Sequence, residues 1–577
     1  MSSGRGPLNK LTVDTSARTA VLCAWLILSV LGWPDTSHAN RRGPASCPIP
    51  PSQRPDVPEC PPDGTMLPET YPAAAVVLSD DVLVGEDRLA ARMGIDRHRV
   101  IGDKAISILR ASGQHPPVMF LNMDAASVRV IEQRIRREAP DRTTQARWLA
   151  SLRRTGAQSF NWQQDIMQPF FDPRTGRPVI RGVDRYVNQG FNANATLAAI
   201  SAAAAQCGVT TGPTMRREGS LENGHGGGNI EAYPGGNCVL GTNHLESGQW
   251  SQYSTEACGG QRPLQIDTSF LGVGHTDEIF SVVPSNQSRC GFAVMVASPR
   301  LGLELLERNR SQAMLNWEQD VGPEQRRGRI ENYDAWRDVC RRWRETRVER
   351  RERPGGSRGT RTQGLRWIWS PREARAGISI EPAPASEPAP RSSRPTTPRS
   401  TETPVGDSPV EARPLLNCED MTNADLLAAM DMPGRNGEGS LRDYNMAIQA
   451  IMDRNTEALR ARLRETNNGC DVPFIEVPNL FHGRMAGSGA EARPTNALGI
   501  FSNPTNGLNI NGRFIFPDPG NAAFRRELNQ RMRGHGVEAD HVDMTYAHLA
   551  QGNLHCSSNV LRYCRPRANA RPQGGRR

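Results

Sequence analysis

The chain has 577 residues and a mass of 63.4 kDa, room for one large catalytic domain with accessories or for two to four smaller ones. Hydrophobic residues make up 37% and charged residues 23%, and the 54 glycines and 44 prolines are clustered, so a packed core is expected beside unpacked stretches, and fibrous, collagen-like and polytopic membrane proteins are excluded. The formal charge of +9 is almost wholly arginine, since only Lys10 and Lys104 are lysine among the 70 basic residues. Nucleic-acid surfaces usually combine both types in patches interleaved with aromatics. Here aromatics are 6% and the arginines are scattered or lie in Pro/Ser-rich stretches, so no nucleic-acid partner is expected, and GC-rich coding accounts for the bias.

Residues 1–39 read as an export signal: Arg5, Lys10 and Arg18 precede an apolar run from Ala20 to Leu31, and Ser37-His38-Ala39 offers small residues for cleavage after Ala39. The run is shorter than the about 20 residues a membrane-spanning helix needs; an uncleaved N-terminal anchor is the alternative. No second such run follows, so an exported protein (periplasmic or secreted) without stable membrane insertion is expected. Removing Cys23 with the signal leaves an odd set of cysteines, which points to disulfides plus one thiol kept free, and no CxxC pair has zinc spacing.

Residues 40–72 form a Pro/Cys-rich leader arm without periodicity, with Cys47–Cys60 as a candidate clip. An α/β pattern runs over 73–344. Ala74–Leu78 and Pro117–Leu121 read as buried strands, 126–139 as a helix carrying Val128, Val130, Ile131 and Ile135, and Phe280–Val283 and Gly291–Val296 as further strands. From 345 to 414 the sequence is rich in Pro, Ser, Thr and Arg and poor in large apolar side chains, so it reads as a disordered insertion whose ordering entropy burial cannot offset. The pattern resumes over 415–565. Leu441, Tyr444, Ile448, Met452, Leu459 and Leu463 trace one helical face ended by Asn467-Asn468-Gly469, and Phe474–Val477 reads as a strand. A basic tail occupies 566–577.

Three segments carry chemistry. Trp162-Gln163-Gln164-Asp165 sets an acid beside a tryptophan. Gly274-His275-Thr276-Asp277-Glu278 leads into the strand at Phe280, and an early strand start would put His275 and Asp277 on one face. Leu554-His555-Cys556-Ser557-Ser558-Asn559 places a thiol among small polar residues. Together they supply the parts of covalent thiol catalysis. The bland readings are a turn-capping Asp165, a satisfied His275–Asp277 turn, and a Cys556–Cys564 disulfide. Gly224–Gly228 lacks the Lys-Ser/Thr of a phosphate loop, and Gly272-Val273-Gly274 is too short for a dinucleotide fingerprint.

Four blocks in order resemble the catalytic domain of the protein-arginine deiminases, in the guanidino-modifying (pentein) superfamily: Asn161–Asp165, Gly228-Asn229-Ile230-Glu231, Val273–Glu278 and Leu554–Asn559. Ala297–Arg300, Val477–Phe481 and Asn509–Arg513 add support, and the resemblance runs from about Phe120 to Arg562 around the insertion. It implies a five-bladed α/β propeller whose two sequence parts are 73–344 and 415–565. It also implies hydrolysis of peptidyl arginine to citrulline and ammonia through a thiouronium on Cys556. Asp165 and Asp277 would grip the guanidinium, His275 would move protons, and Trp162 would wall the pocket. With Cys556 free, ten cysteines remain to form up to five disulfides.

The departures are informative. Residues 40–72 are too few for the immunoglobulin-like domains that precede the catalytic domain in the animal enzymes, and Ala550 replaces an arginine that helps grip substrate backbone. The family binds calcium. Gln164, Glu231 and the Ile230 carbonyl match ligand positions, but Gln168 and Ile166 stand where glutamates are expected, leaving one weakened calcium site and no organic cofactor. The alternatives are a deiminase of free arginine, agmatine or methylarginine, or a catalytically silent binding propeller. Arginines in the insertion and tail make the chain itself an expected substrate.

Overall fold

The computed structural model describes residues 47, 57–61, 66–79, 93–156, 162–183, 193–215, 227–242, 258–259, 261–317, 321–351, 417–434, 439–487 and 492–567. The export signal, most of the insertion and all but the start of the basic tail lie outside these residues.

The described residues hold eighteen strands in six sheets alternating with helices, an α/β fold. Five sheets share one plan, in which a first strand pairs antiparallel with a second and the second pairs parallel with a third. They are Met167–Phe171, Pro178–Gly182 and Thr210–Thr211; Ile230–Tyr233, Asn237–Gly241 and Arg262–Ile266; Phe280–Pro284, Phe292–Ser298 and Phe474–Pro478; and Leu508–Ile510, Arg513–Pro517 and Glu538–Val542. In the remaining one Ser558–Arg562 pairs antiparallel with Ala73–Ser79, which pairs parallel with Val118–Asn122, and Leu152–Arg154 adds a parallel edge. That sheet joins the two ends of the described chain. The sixth sheet is the hairpin Phe481–Ala486 with Arg493–Gly499.

A parallel pair needs a crossover long enough for a helix, and the sequence supplies one with its own start signal. Asp96 caps the helix Arg97–Ala111 by accepting from His98 N and Arg99 N, which carries the chain from Ala73–Ser79 to Val118–Asn122. Ala73–Ser79 is buried along its whole length, as its unbroken apolar run requires of a strand covered on both faces. The crossover after Phe292–Ser298 is the long one. It holds Pro299–Arg308, Pro323–Asn332, Asp334–Arg351, Asn423–Met430 and the capping-box helix Leu441–Thr466. Leu441–Thr466 ends where Asn468 and Gly469 adopt positive φ. The insertion therefore interrupts one crossover and no sheet. Its expected start moves: Asp334–Arg351 continues past Glu345, with Glu345 paired to Arg341 at 3.1 Å.

Five disulfides join Cys47–Cys207, Cys60–Cys564, Cys238–Cys258, Cys290–Cys470 and Cys340–Cys418, and Cys556 is free. The expected clip Cys47–Cys60 does not form, because residues 58–60 run beside Arg565 in a parallel bridge that faces Cys60 toward Cys564. The same pairing removes Cys564 as a partner for Cys556.

Candidate active site

In each of the five like-built sheets, the turn just before the first strand carries the polar residues. These are Gln163–Ile166, Gly227–Asn229, Thr276–Glu278, 503–506 and 555–557. The turns touch in a closed ring. Gln164 N donates to Cys556 O at 3.4 Å and Thr276 Oγ1 to Gly228 O at 3.2 Å. Asn503 Nδ2 donates to Glu278 O at 2.6 Å and His555 N to Asn506 Oδ1 at 3.1 Å. The remaining contact is Gly227 against Gln164, where a Cβ would lie 2.0 Å from the Gln164 carbonyl oxygen. Gly228 is as constrained: a Cβ there would stand 2.6 Å from His275 Nδ1 and 3.0 Å from Asp277 Oδ2. Only a residue without a side chain lets the turns close.

The ring brings the four expected catalytic residues together. Cys556 Sγ lies 3.6 Å from Asp277 Oδ2, and His275 Nε2 lies 4.0 Å from Asp165 Oδ1. Asp165, His275 and Asp277 are 8%, 2% and 2% exposed, so their interactions act in a low dielectric. His275 precedes a one-turn helix whose backbone it caps, and the strand begins only at Phe280. The expected early strand is absent, and His275 and Asp277 are brought inward by the turn instead. Trp162 is half-buried against Gly552, where a Cβ would meet its ring at 2.2 Å. Burial pushes the Cys556 thiol well above its ordinary value, and Asp277 and Asp165 push it further.

Four contributors carried no assignment in the sequence reading. Asn506 clasps the nucleophile loop, its Nδ2 3.1 Å from Cys556 Sγ and its Oδ1 accepting from His555 N and Cys556 N. Lys104, with no exposed surface, donates to Ser557 O at 3.1 Å and Ser557 Oγ at 2.7 Å. His555 points away from the thiol: Nδ1 is 2.9 Å from Asp277 Oδ2 and 3.7 Å from Glu231 Oε1, and Nε2 is 3.5 Å from Glu69 Oε1. Burial opposes its charged form, but Glu231, Asp277 and Glu69 together hold the imidazolium well above the usual range. Glu69, from the leader arm, is the fourth. Of these only His555 had a local signal, its place beside Cys556.

The expected calcium ligands lie together on this far side of Asp277. Gln164 Nε2 donates to Glu231 Oε1 at 3.2 Å, and Gln168 Nε2 to the Ile230 carbonyl at 3.4 Å. Arg562 and His555 line the same cavity as Glu69 and Glu231. A hard dication wants several oxygens free of N–H donors. Gln164 Oε1, Gln168 Oε1 and Asp277 Oδ1 are buried with no donor among the described residues, but the Arg562 guanidinium and the Gln164 and Gln168 N–H groups stand among the ligand positions, so as arranged the cavity does not fit calcium.

Residues 228–332 match the family described as "Protein-arginine deiminase (PAD)". The resemblance read from the sequence is matched over that span, which holds Glu231, His275 and Asp277. No curated protein matches the chain. Among solved structures the chain is similar to a protein provisionally described as a peptidyl-arginine deiminase, at 10% identity and TM-score 0.42 over 87% of this chain and 99% of that one. It is similar to the agmatine deiminase of C. jejuni at 9% and 0.42, over 87% and 96%. It is also similar to that of Enterococcus faecalis at 10% and 0.36, over 87% and 96%. Likeness at these scores carries no weight beside the residues themselves.

Proposed function

We propose that the protein hydrolyses the guanidinium of peptide-bound arginine, forming citrulline and ammonium. One observation carries the reading: Cys556, the one free cysteine among the described residues, stands with two buried carboxylates and a buried histidine. The closed ring of turns and the repeated sheet plan support a five-bladed propeller around that pocket.

A planar guanidinium held between Asp165 and Asp277 offsets one of their two negative charges and gives both carboxylates a donor partner. The carboxylates that raise the thiol in the empty site then cease to do so, and the arriving cation favours the thiolate. Cys556 attacks the guanidinium carbon, and Asn506 holds the sulfur in line. The tetrahedral adduct loses ammonia with a proton from His275, leaving a thiouronium. His275 next removes a proton from water, which attacks the same carbon, and the C–S bond breaks to give the urea and restore the thiol. Guanidinium plus water becomes ureido group plus ammonium, with no redox change.

Peptide-bound arginine is favoured by the family match and by the cleft beside Cys556, lined by Val273, Leu498, Gly499, Gly552 and Asn553, which offers apolar and amide surface to a main chain. A free guanidino compound is the competing reading. It is favoured by Glu278, the single acid among the described residues of that cleft, which could meet the ammonium of agmatine. Export is supported by the five disulfides, and no helix among the described residues is long and apolar enough to cross a membrane. The arginines proposed as self-substrates fall mostly outside the described residues. Ureido product measured on a benzoyl-arginine peptide, arginine and agmatine tests the reading. A higher kcat/KM on the peptide is expected, and turnover of agmatine alone would replace it by the competing one.

A further inference from the structure

The leader arm is built into the molecule although it joins no sheet. Val57, Cys60, Met66 and Glu69 are 2%, 1%, 1% and 8% exposed. Cys60 is bonded to Cys564, Cys60 N donates to Arg565 O at 2.8 Å, and Tyr563 N donates to Pro72 O at 3.2 Å. The arm is thus strapped to the chain leaving the strand Ser558–Arg562, two residues beyond the nucleophile. At its centre the Glu69 carboxyl turns inward. Oε2 accepts from Ser281 Oγ at 3.1 Å, and Oε1 lies 3.4 Å from Arg562 Nη2 and 3.5 Å from His555 Nε2.

We propose that Glu69 is a positioning residue of the deiminase site. Together with Arg562 and His555 it occupies with protein side chains the place a calcium ion would take, so that cation binding and turnover depend on the strap and on no divalent metal. This rests on the reading of the site as a guanidinium pocket.

The geometry is a continuous relay. Glu69 fixes one imidazole nitrogen of His555, the other is 2.9 Å from Asp277 Oδ2, and that oxygen is 3.6 Å from Cys556 Sγ. A rigid five-membered ring held at Nε2 cannot swing at Nδ1, so Glu69 sets which way Asp277 points. Without it, Nδ1 has a second carboxylate, Glu231, 3.7 Å away, and can leave Asp277 for it. Glu69, Glu231, Arg562 and His555 line one cavity, with Arg562 paired to Glu69. A dication added to this set would meet the Arg562 guanidinium inside the same cavity. An arm serving only as a staple needs its disulfide and main-chain bonds but no inward carboxylate.

Alkylation of Cys556 tests this without requiring turnover. 2-Chloroacetamidine is a planar cation that needs the carboxylate grip, whereas iodoacetamide is neutral and reports only thiol access and reactivity. In the full disulfide-bonded chain, wild type should react faster with the amidine, Glu69→Gln should lose about tenfold of that preference while its iodoacetamide rate holds, and Glu69→Asp should recover part of it. Ser281→Ala, which removes only one Glu69 partner, should lose a smaller share and serves if Glu69→Gln does not fold. Calorimetry should show no calcium binding, and chelator should leave the preference unchanged. An unchanged preference in folded Glu69→Gln, or in Ser281→Ala where Glu69→Gln does not fold, overturns the proposal. So does stoichiometric calcium binding that raises the preference. A wild type without amidine preference overturns both this and the guanidinium pocket. A preference that falls in Glu69→Gln while no arginine substrate yields ureido product supports the strap and overturns the deimination reading alone.

Discussion

Asp277 divides the site into two halves that meet the same electrostatic problem differently. On one side Asp165, Asp277 and His275 gather around Cys556, whose thiol is held protonated by burial and by its acidic neighbours. On the other side Glu69 and Glu231 face cations the chain itself provides, His555 and Arg562. The substrate completes the first half and the fold completes the second. A thiol set among acids, backed by acids that Arg562 and His555 of the chain itself already contact, selects a cation.

Changes on the open side should have the largest effects. Cys556→Ser should lower kcat at least about a thousandfold, roughly 4 kcal/mol of barrier, because an unactivated hydroxyl is a much weaker nucleophile than a thiolate. A variant keeping a tenth of the rate would dismiss the assignment. Asp165→Asn and Asp277→Asn should each cost about a hundredfold in kcat/KM, affecting KM and kcat together, since an amide can turn a donor toward the guanidinium's own donors. Because Asp277 also faces His555, its variant should lose more than that of Asp165. Equal losses would mean the two halves are not coupled through Asp277.

The two halves also differ in how visible they were in the sequence. Asp165, His275, Asp277 and Cys556 each sit in a short run of small and polar residues leading into a strand, so local pattern and family resemblance exposed them. Glu69 lies in a proline-rich stretch without periodicity, and its partners are hundreds of residues away. What delivers it is the Cys60–Cys564 bond, and cysteine counting fixes how many bridges form but not which. The strands at 74–78, 117–121, 280–283, 291–296 and 474–477 and the helices at 126–139 and 441–463 were legible from their apolar patterns, and the missing early strand at His275 reflects a one-turn helix too short to have a period. The insertion's start was misplaced because the Arg/Glu-rich end of Asp334–Arg351 is held by pairs along the helix that composition does not reveal.

Lys104 offers a smaller and sharper test of the open side. In a chain with two lysines, it alone sits in a described element, fully buried beneath the nucleophile loop and bonded to Ser557. Lys104→Met should lower kcat by about tenfold with little change in KM. It also leaves the Ser557 groups short of a donor, at about 1–3 kcal/mol of stability. If stability falls while kcat holds, Lys104 only props the loop and contributes nothing to the thiolate.

The smallest effect concerns Glu278, which borders the cleft on the open side. Its half-buried carboxyl is pushed up to about 8, first by burial and then by Asp277, against the hydrogen bonds donated by the His275 and Gly274 backbone. The ordinary value is 4.5, so the folded protein holds a proton here that the unfolded chain has released over the interval between. Stability from this group is fully present below the lower value and is lost as pH rises toward about 8. The slope is bounded by one proton, about 1.4 kcal/mol per pH unit. Glu278→Gln keeps an oxygen for the His275 N–H, which lies 3.0 Å from the present carboxylate, and removes the titration. Denaturant midpoints followed from about pH 5 to about pH 9 should therefore fall less steeply in the variant than in wild type. Parallel curves would show that Glu278 is ionised in the fold across this range, and the cleft would then carry a permanent negative charge suited to the ammonium of a free guanidino compound.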